Sequence, residues 1–213
     1  GTAAGPTGFV AYTPSASSSV QVTLNSNITN NSATSATMLG ANFNNTLTYG
    51  GVIDGSASLQ ISGGQAGGSG IVVLNAANTY TGGTYLNHTS TSVLRLGISN
   101  ALPTGTTLFF NQSASGGSLS TGGTLDLVGF NQTLAGIVSP STSRGVSNTG
   151  GAATLTLDGS GTYLFEAQIG TPSSTTNLTG ANNNITVIKN GSGTQTLSGS
   201  KAFTGGLYVN SGT

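Results

Sequence analysis

The sequence of 213 residues contains no cysteine, no tryptophan and a single histidine. Without cysteine there is no disulfide framework and no thiolate chemistry, and a cysteine–histidine zinc site is excluded. Four basic and four acidic residues balance to zero net charge, so no surplus of positive charge can neutralise phosphates. No apolar stretch approaches the roughly 20 residues that cross a bilayer. We therefore expect no nucleic-acid partner and no membrane span.

Glycine (35), serine (29), threonine (34) and asparagine (20) make up more than half of the chain, and all four disfavour helix. The apolar residues nevertheless follow a pattern. Val20, Val22 and Leu24 alternate with polar residues, as do Leu155 and Leu157, which is typical of strands with one buried face. The sequence therefore predicts an all-β protein. Similar runs predict strands near 47–53, 58–62, 70–75, 94–96, 106–111, 125–127, 161–169, 185–187, 194–199 and 206–210.

An internal repeat narrows the choice among all-β folds. Its two cores, residues 68–87 and 191–210, align without gaps at an offset of 123, and nine of the 20 paired positions are identical. Both cores begin with Gly-Ser-Gly, and both contain Thr-Gly-Gly thirteen positions further on. Repetition of this kind favours a solenoid, in which each coil stacks on the next. A β-sandwich or jelly roll is the alternative.

The first core resembles a known family. Residues 70–86, with the central Asn-Thr-Tyr-Thr-Gly-Gly-Thr, are similar to the autotransporter-associated β-strand repeat, and the resemblance extends over about residues 43–213. The second core departs from it, with Lys201, Ala202 and Phe203 in place of Asn-Thr-Tyr. The resemblance implies a right-handed parallel β-solenoid on large bacterial surface or secreted proteins, without enzymatic activity. Residues 1–42 do not match, and we predict that they form a separate cap, linker or assembly segment.

A solenoid accounts for the composition. Coils about 4.8 Å apart would stack inward apolar residues into ladders, while outward threonine, serine and asparagine would hydrogen-bond between coils. A charge repeated along such a ladder would repel itself, so a nearly uncharged surface suits the fold. At roughly 20–25 residues per coil the chain predicts about nine coils and a rod of order 40 Å.

The few ionisable residues offer little chemistry. Asp126 and Asp158 occupy similar places in two strands and would be neighbours if their coils stacked closely, but two solvated carboxylates are the simpler interpretation. His88 lies just past a strand, and a triad would need a nucleophile and an acid brought to it by folding. We predict no catalytic residue, no cofactor-binding residue and no metal ligand.

The aromatic residues could pack in the core or, at the surface, bind sugars or another subunit. Tyr80 and Phe203 hold equivalent repeat positions, which predicts a shared packing role. Tyr85 would belong to the core if it points inward and could stack on sugars if it points outward. Phe109 and Phe110 are adjacent, so in a strand one of them should face outward, against another subunit or beneath a covering loop.

The sequence predicts a non-enzymatic, extracellular or cell-surface β-solenoid that serves as a stalk, an adhesin segment or a filament building block. The alternative is a carbohydrate-binding or carbohydrate-cleaving β-helix, with a groove lined by Asp126, Asp158, Glu166 and tyrosines. A phage fibre segment is a third reading. Because the second repeat stops where the first continues into Val93–Gly97, we expect a longer parent chain or head-to-tail self-assembly. Surface glycans are the other expected partners.

Overall fold

The computed structural model describes the backbone of residues 7–11 and all of residues 19–42, 44–62, 70–86, 92–116, 123–170 and 178–213. These residues form strands and turns and contain no helix, and thus no helical segment that could cross a membrane. The strands are β1 (Thr7–Ala11), β2 (Gln21–Leu24), β3 (Ile28–Thr29), β4 (Thr37–Ala41), β5 (Thr46–Tyr49), β6 (Ile53–Asp54), β7 (Leu59–Ile61), β8 (Ile71–Leu74), β9 (Thr84–Leu86), β10 (Val93–Leu96), β11 (Thr107–Phe110), β12 (Thr124–Asp126), β13 (Gln132–Leu134), β14 (Gly136–Val138), β15 (Gly145–Ser147), β16 (Ala153–Leu157), β17 (Thr162–Phe165), β18 (Gln168–Ile169), β19 (Ile185–Lys189), β20 (Thr194–Leu197) and β21 (Leu207–Val209).

The strands stack into three faces, and every pair of these strands is parallel. The first face has the order β1-β4-β7-β9-β11-β14, and the second has β2-β5-β8-β10-β12-β15-β18. The third face is built from β3-β6 and β13-β16-β19-β21. The chain visits the second, third and first faces in turn, which makes the fold a parallel β-solenoid. A sandwich or jelly roll would require antiparallel neighbours, so that alternative is wrong.

Inward apolar side chains form continuous ladders along the solenoid. On the second face, one ladder consists of the register partners Val22, Leu47, Val72, Leu94, Leu125, Val146 and Ile169. From Leu47 onward every member is at most 1% exposed. Each buried leucine or valine is worth about 1.5–3 kcal/mol of transfer free energy. Alternation of the kind seen in the sequence therefore places one apolar rung per coil in the core.

Coil length varies more than the sequence suggested. Register partners are 25 residues apart from Leu47 to Val72, 31 apart from Leu94 to Leu125, and 21 apart from Leu125 to Val146. The first face continues from β14 into β17 and β20 through the bridge between Ser139 and Phe165, so the described residues give it eight strands rather than the nine coils expected. Seven spacings of about 4.8 Å make this part about 34 Å long.

Two glutamine side chains join coils where regular strand pairing is interrupted. Gln132 accepts the Leu102 N–H at 3.1 Å and donates to the Leu102 carbonyl at 3.0 Å. Gln195 makes the same pair of hydrogen bonds to Ile137, each 3.0 Å long and spanning 58 residues of sequence. Because an amide carries both a donor and an acceptor, it can replace a missing backbone partner.

The described parts of residues 1–42 belong to the same stack. Strand β1 pairs with β4, β2 with β5 and β3 with β6, all in parallel register. Val22, Leu24 and Ile28 are partly buried against the core. The solenoid thus extends into this segment, and its role as a cap, linker or assembly element stays a prediction.

Candidate functional site

Asn78, in the first repeat core, ties three coils together on the third face, just before the corner between the third and first faces. Its Oδ1 accepts the Ile53 N–H at 2.8 Å, and its Nδ2 donates to the Ala101 carbonyl at 2.7 Å and the Ala76 carbonyl at 3.1 Å. The residue is 4% exposed. Since buried backbone groups must be paired, this amide supplies an acceptor to the Ile53 N–H and a second donor to the Ala101 carbonyl, which also accepts the Asn78 N–H at 3.2 Å.

Tyr80 fills the core beneath this corner, at 1% exposure. Its hydroxyl lies 2.6 Å from Oγ1 of Thr84, which is 3.1 Å from Oγ1 of Thr106 on the next coil. Thr106 in turn donates to the Gly82 carbonyl at 3.0 Å. Burial raises the pKa of Tyr80 well above its ordinary value of 10.0. The hydroxyl is thus a neutral, internally bonded group.

The two glycines of this core are required by close approach. A Cβ at Gly82 would lie 2.6 Å from the Ala57 backbone, and one at Gly83 would lie 2.9 Å from the Tyr85 ring. Both distances are shorter than van der Waals contact. Asparagine, tyrosine, glycine and threonine of the Asn-Thr-Tyr-Thr-Gly-Gly-Thr segment therefore each serve the stacking of coils.

The second core lies on other faces of the coil, since its strands β20 and β21 belong to the first and third faces whereas β8 and β9 of the first core belong to the second and first. Lys201 takes the place of Asn78, and its Nζ donates to the carbonyls of Ala167, at 2.6 Å, and Ser198. The same ammonium lies 5.3 Å from the Phe165 ring centroid, and partial burial lowers its pKa. Phe203 packs against the core as Tyr80 does, as predicted.

A groove follows this corner on the solvent side. One cavity of about 450 Å³ is lined by residues 77–81, 100 and 102–106. A second, of about 530 Å³, includes Thr107, Asp158, Ser160, Tyr163 and Ser192. The two meet at Thr104 and Gly105, and we call them together the corner groove.

Comparison with known proteins identifies the two repeat cores. A family model described as the passenger-associated-transport-repeat matches residues 67–88 and again residues 187–213. Two segments of the chain, together 49 of its 213 residues, thus match the passenger-associated-transport-repeat. This confirms the resemblance to the autotransporter passenger repeat, whose family comprises secreted or surface-displayed bacterial proteins. No curated protein and no solved structure matches the chain.

An ion pair between Arg95 and Asp126 lies outside the two repeat cores. Asp126, on the second face, is fully buried and accepts a hydrogen bond from Nε of Arg95 at 2.9 Å. It also accepts the N–H and the hydroxyl of Thr149, at 3.0 and 2.8 Å, and the Val128 N–H at 3.2 Å. A carboxylate bonded in this way is a structural group, because its acceptor positions are occupied.

The carboxylates proposed to line one groove lie at different places on the coil. Asp126 is in the second face, Asp158 follows β16 at the corner groove, and Glu166 follows β17 between the first and second faces. Across the described ranges, no three of histidine, cysteine, aspartate and glutamate come close enough to hold a metal ion. His88 lies outside the described residues. The absence of catalytic, cofactor and metal residues stays a prediction.

The aromatic residues of the first face point inward or outward according to their positions in the strands. Phe110 points inward at 0% exposure, and Phe109 is half-buried on the outward register, where Tyr85 stacks on it with ring centroids 4.6 Å apart. The prediction that one of the two phenylalanines faces outward is confirmed. Tyr85 is outward too, and its ring contacts Phe109. Its counterpart in the second repeat, Tyr208, is 55% exposed.

Sequence reasoning missed the corner groove. Its residues come from five successive coils. In the sequence, Pro103-Thr104-Gly105 has the composition of an ordinary turn and therefore did not indicate a binding site. The position of this turn next to the first repeat core was the available signal. A groove can be inferred from this position only when Asn78 and Ala101 are known to lie on adjacent coils.

Proposed function

We propose that the chain is a rigid, non-enzymatic structural segment of an autotransporter passenger, which acts as a stalk or spacer on the bacterial surface or in the secreted protein. One observation carries the proposal. In the first transport repeat, the polar groups of Asn78, Tyr80 and Thr84 form hydrogen bonds that link neighbouring coils or lie inside the core between them. Side chains that are hydrogen-bonded in this way stabilise the stack of coils and are not available to act on a substrate.

The distribution of charge supports a passive role. The buried Asp126 is neutralised by Arg95 and by donors from the next coil. Lys189 and Lys201 donate to backbone carbonyls of their own and neighbouring coils. Glycoside hydrolysis needs two carboxyl groups about 5–9.5 Å apart. Because Asp126, Asp158 and Glu166 lie at different places on the coil, their positions argue against the carbohydrate-cleaving alternative.

Stretching the molecule between its ends with an atomic force microscope tests the mechanical role. A stack of hydrogen-bonded coils should resist extension and then lengthen in steps, because each coil contacts only its neighbours. The Asn78→Ala variant should unfold at lower force, whereas Asn44→Ala, at an exposed turn position, should match the parent chain. Smooth extension without resistance would contradict the proposal.

The same proposal leaves two forms of assembly, which electron microscopy separates. Parallel coils can extend by the pairing that already stacks them, and β21 exposes Leu207, Tyr208 and Val209 at more than 50% each. Filaments that lengthen with protein concentration would identify head-to-tail self-assembly and a filament building block. Isolated short particles at every concentration would instead identify a spacer.

A further inference from the structure

The two cavities of the corner groove share Thr104 and Gly105 and together extend across several coils. The groove begins beside residues 77–81, passes residues 102–107, and ends at residues 158–160 and Ser192. With Ala135 between them, these segments come from five successive coils, which at about 4.8 Å per coil gives a length of about 19 Å. A groove of this shape fits a chain molecule that lies along the solenoid axis.

Hydroxyl groups and one carboxylate line the second cavity of the groove. Thr104, Thr107, Ser160 and Ser192 each supply a hydroxyl, and Asp158 is exposed there. Within the described part of the chain, no hydrogen bond or ion pair occupies the Asp158 carboxylate. No lysine, arginine or histidine is among the lining residues.

Tyr163 forms one wall of the groove. Its ring occupies the space that a side chain at Gly136 would fill, and a Cβ at Gly159 would lie 2.6 Å from its hydroxyl oxygen. These glycines let the half-buried ring lie against the backbone with its hydroxyl beside Gly159 at the cavity. A fixed phenol of this kind offers both a donor and an acceptor.

We propose that the corner groove binds a neutral, extended polysaccharide, with the Asp158 carboxylate accepting hydrogen bonds from neighbouring sugar hydroxyls. Sugar hydroxyls are donors and acceptors, which matches a lining of hydroxyls with one strong acceptor. An acidic polysaccharide would meet a carboxylate and no described cation, so it is disfavoured. A metal ion would need further ligands beside Asp158, and the described residues provide no such group.

This site goes beyond the structural role and does not depend on it. A spacer could carry the groove or lack a ligand for it, and the stacking of coils would be unchanged. Glycan binding can therefore fail while the mechanical proposal stands, and the reverse also holds.

Gly105 offers a direct way to block the groove. A Cβ built there meets no atom within 4 Å, and its φ is not in the left-handed region. The Gly105→Tyr variant should therefore fold normally while its side chain fills the junction of the two cavities. Gly151 is equally open and lines neither cavity, so Gly151→Tyr is the matched control.

The test uses affinity electrophoresis through neutral xylan, glucan, mannan and galactan, with polygalacturonate as the acidic comparison. We expect the parent chain and Gly151→Tyr to be retarded by at least one neutral polysaccharide and not by polygalacturonate. Gly105→Tyr should abolish the retardation, and Asp158→Asn should weaken binding about tenfold, because a hydrogen bond to a charged acceptor is lost. Circular dichroism would verify that each variant keeps its β content.

Three results would overturn the proposal. The first is no retardation of the parent chain by any of the neutral polysaccharides. The second is retardation that persists unchanged in both Gly105→Tyr and Asp158→Asn, since the ligand would then lie elsewhere. The third is stronger retardation by polygalacturonate than by the neutral polymers, because the groove would then select the opposite charge.

Discussion

Asn78 and Lys201 hold the same position in the two repeats, and both donate hydrogen bonds to backbone carbonyls of an adjacent coil. Asn78 reaches Ala101 at 2.7 Å, and Lys201 reaches Ala167 at 2.6 Å. The two side chains differ in charge and length and lie on different faces, because Asn78 is in register with Ile53 on the third face and Lys201 bridges Ile169 on the second. Asn78 reaches the following coil and Lys201 the preceding one, so what the two share is a donor that reaches an adjacent coil.

Replacing Asn78 by alanine should destabilise the fold by about 2 kcal/mol or more. The change leaves the Ile53 N–H and the Ala101 carbonyl without their side-chain partner in a buried site. Urea unfolding followed by circular dichroism measures the effect. The Asn44→Ala variant, at an exposed turn position, should differ little from the parent chain. Equal stability of the two variants would show that the corner does not depend on Asn78.

Truncating one rung of the second-face ladder should have a large effect. Leu125 is fully buried between Leu94 and Val146, so Leu125→Ala should cost about 2–5 kcal/mol through lost burial and the cavity left behind. Leu164, which is 46% exposed on β17, provides the matched control. Leu164→Ala should lower the free energy of unfolding by much less, and a comparable loss would count against the ladder as the source of stability.

Asp126 and Arg95 should contribute unequally to the free energy of unfolding. Asp126→Asn leaves a buried site that has lost its charge and part of its accepting capacity, and we expect a loss of about 2 kcal/mol. The Arg95 side chain is 27% exposed, so solvent screens its attraction to Asp126. Arg95→Met should therefore lower the free energy of unfolding by about 1 kcal/mol or less.

A double-mutant cycle of Arg95→Met and Asp126→Asn measures the coupling between these two side chains. We expect the combined variant to lose less than the sum of the single losses, because they share one hydrogen bond. Strict additivity would mean that the ion pair contributes nothing to stability.

Tyr80 should make the fold sensitive to alkali. Its folded-state pKa is raised by burial above the ordinary 10.0, so its stabilising contribution is complete below pH 10.0 and is lost as the pH rises towards the raised value. Tyr80→Phe should shift alkaline unfolding to higher pH, although it removes the hydroxyl contact with Thr84 and lowers neutral-pH stability by about 1 kcal/mol.

The exposed Tyr208 is the control for this pH effect. Tyr208→Phe should leave the midpoint of alkaline unfolding unchanged, as followed by circular dichroism and tyrosinate absorbance. An equal shift in both variants would assign the alkaline transition to groups other than Tyr80.

Several strands were predictable because their apolar residues alternate. Residues 153–157 and 185–187 lie in β16 and β19, with Leu155, Val187 and their inward neighbours buried as predicted. Strands β4, β14 and β15 were missed, because Thr37–Ala41, Gly136–Val138 and Gly145–Ser147 each contain glycine and lack a clear apolar–polar alternation. In these three strands the neighbouring coils supply the stability that local propensity does not.

The candidate site was predictable in its parts and not as a whole. Asp158 could be identified as a strand-end carboxylate, but its pairing with Asp126 could not be judged without the register of the coils. Thr104 and Gly105 become part of a groove only when the coil of residues 100–107 lies between those of Asn78 and Asp158. Sequence separation carries no such information.

The sequence by itself determined the all-β class, the repeat and the inward face of most strands, because these depend on period-two alternation and on residue types that disfavour helix. Only the tertiary structure decided which residues meet across coils. Arg95 pairs with Asp126 over 31 residues and Ile137 with Gln195 over 58, because coils of unequal length return to one register. Loop-closure entropy changes slowly with length, so insertions are tolerated wherever the ladder of buried side chains holds the stack in place.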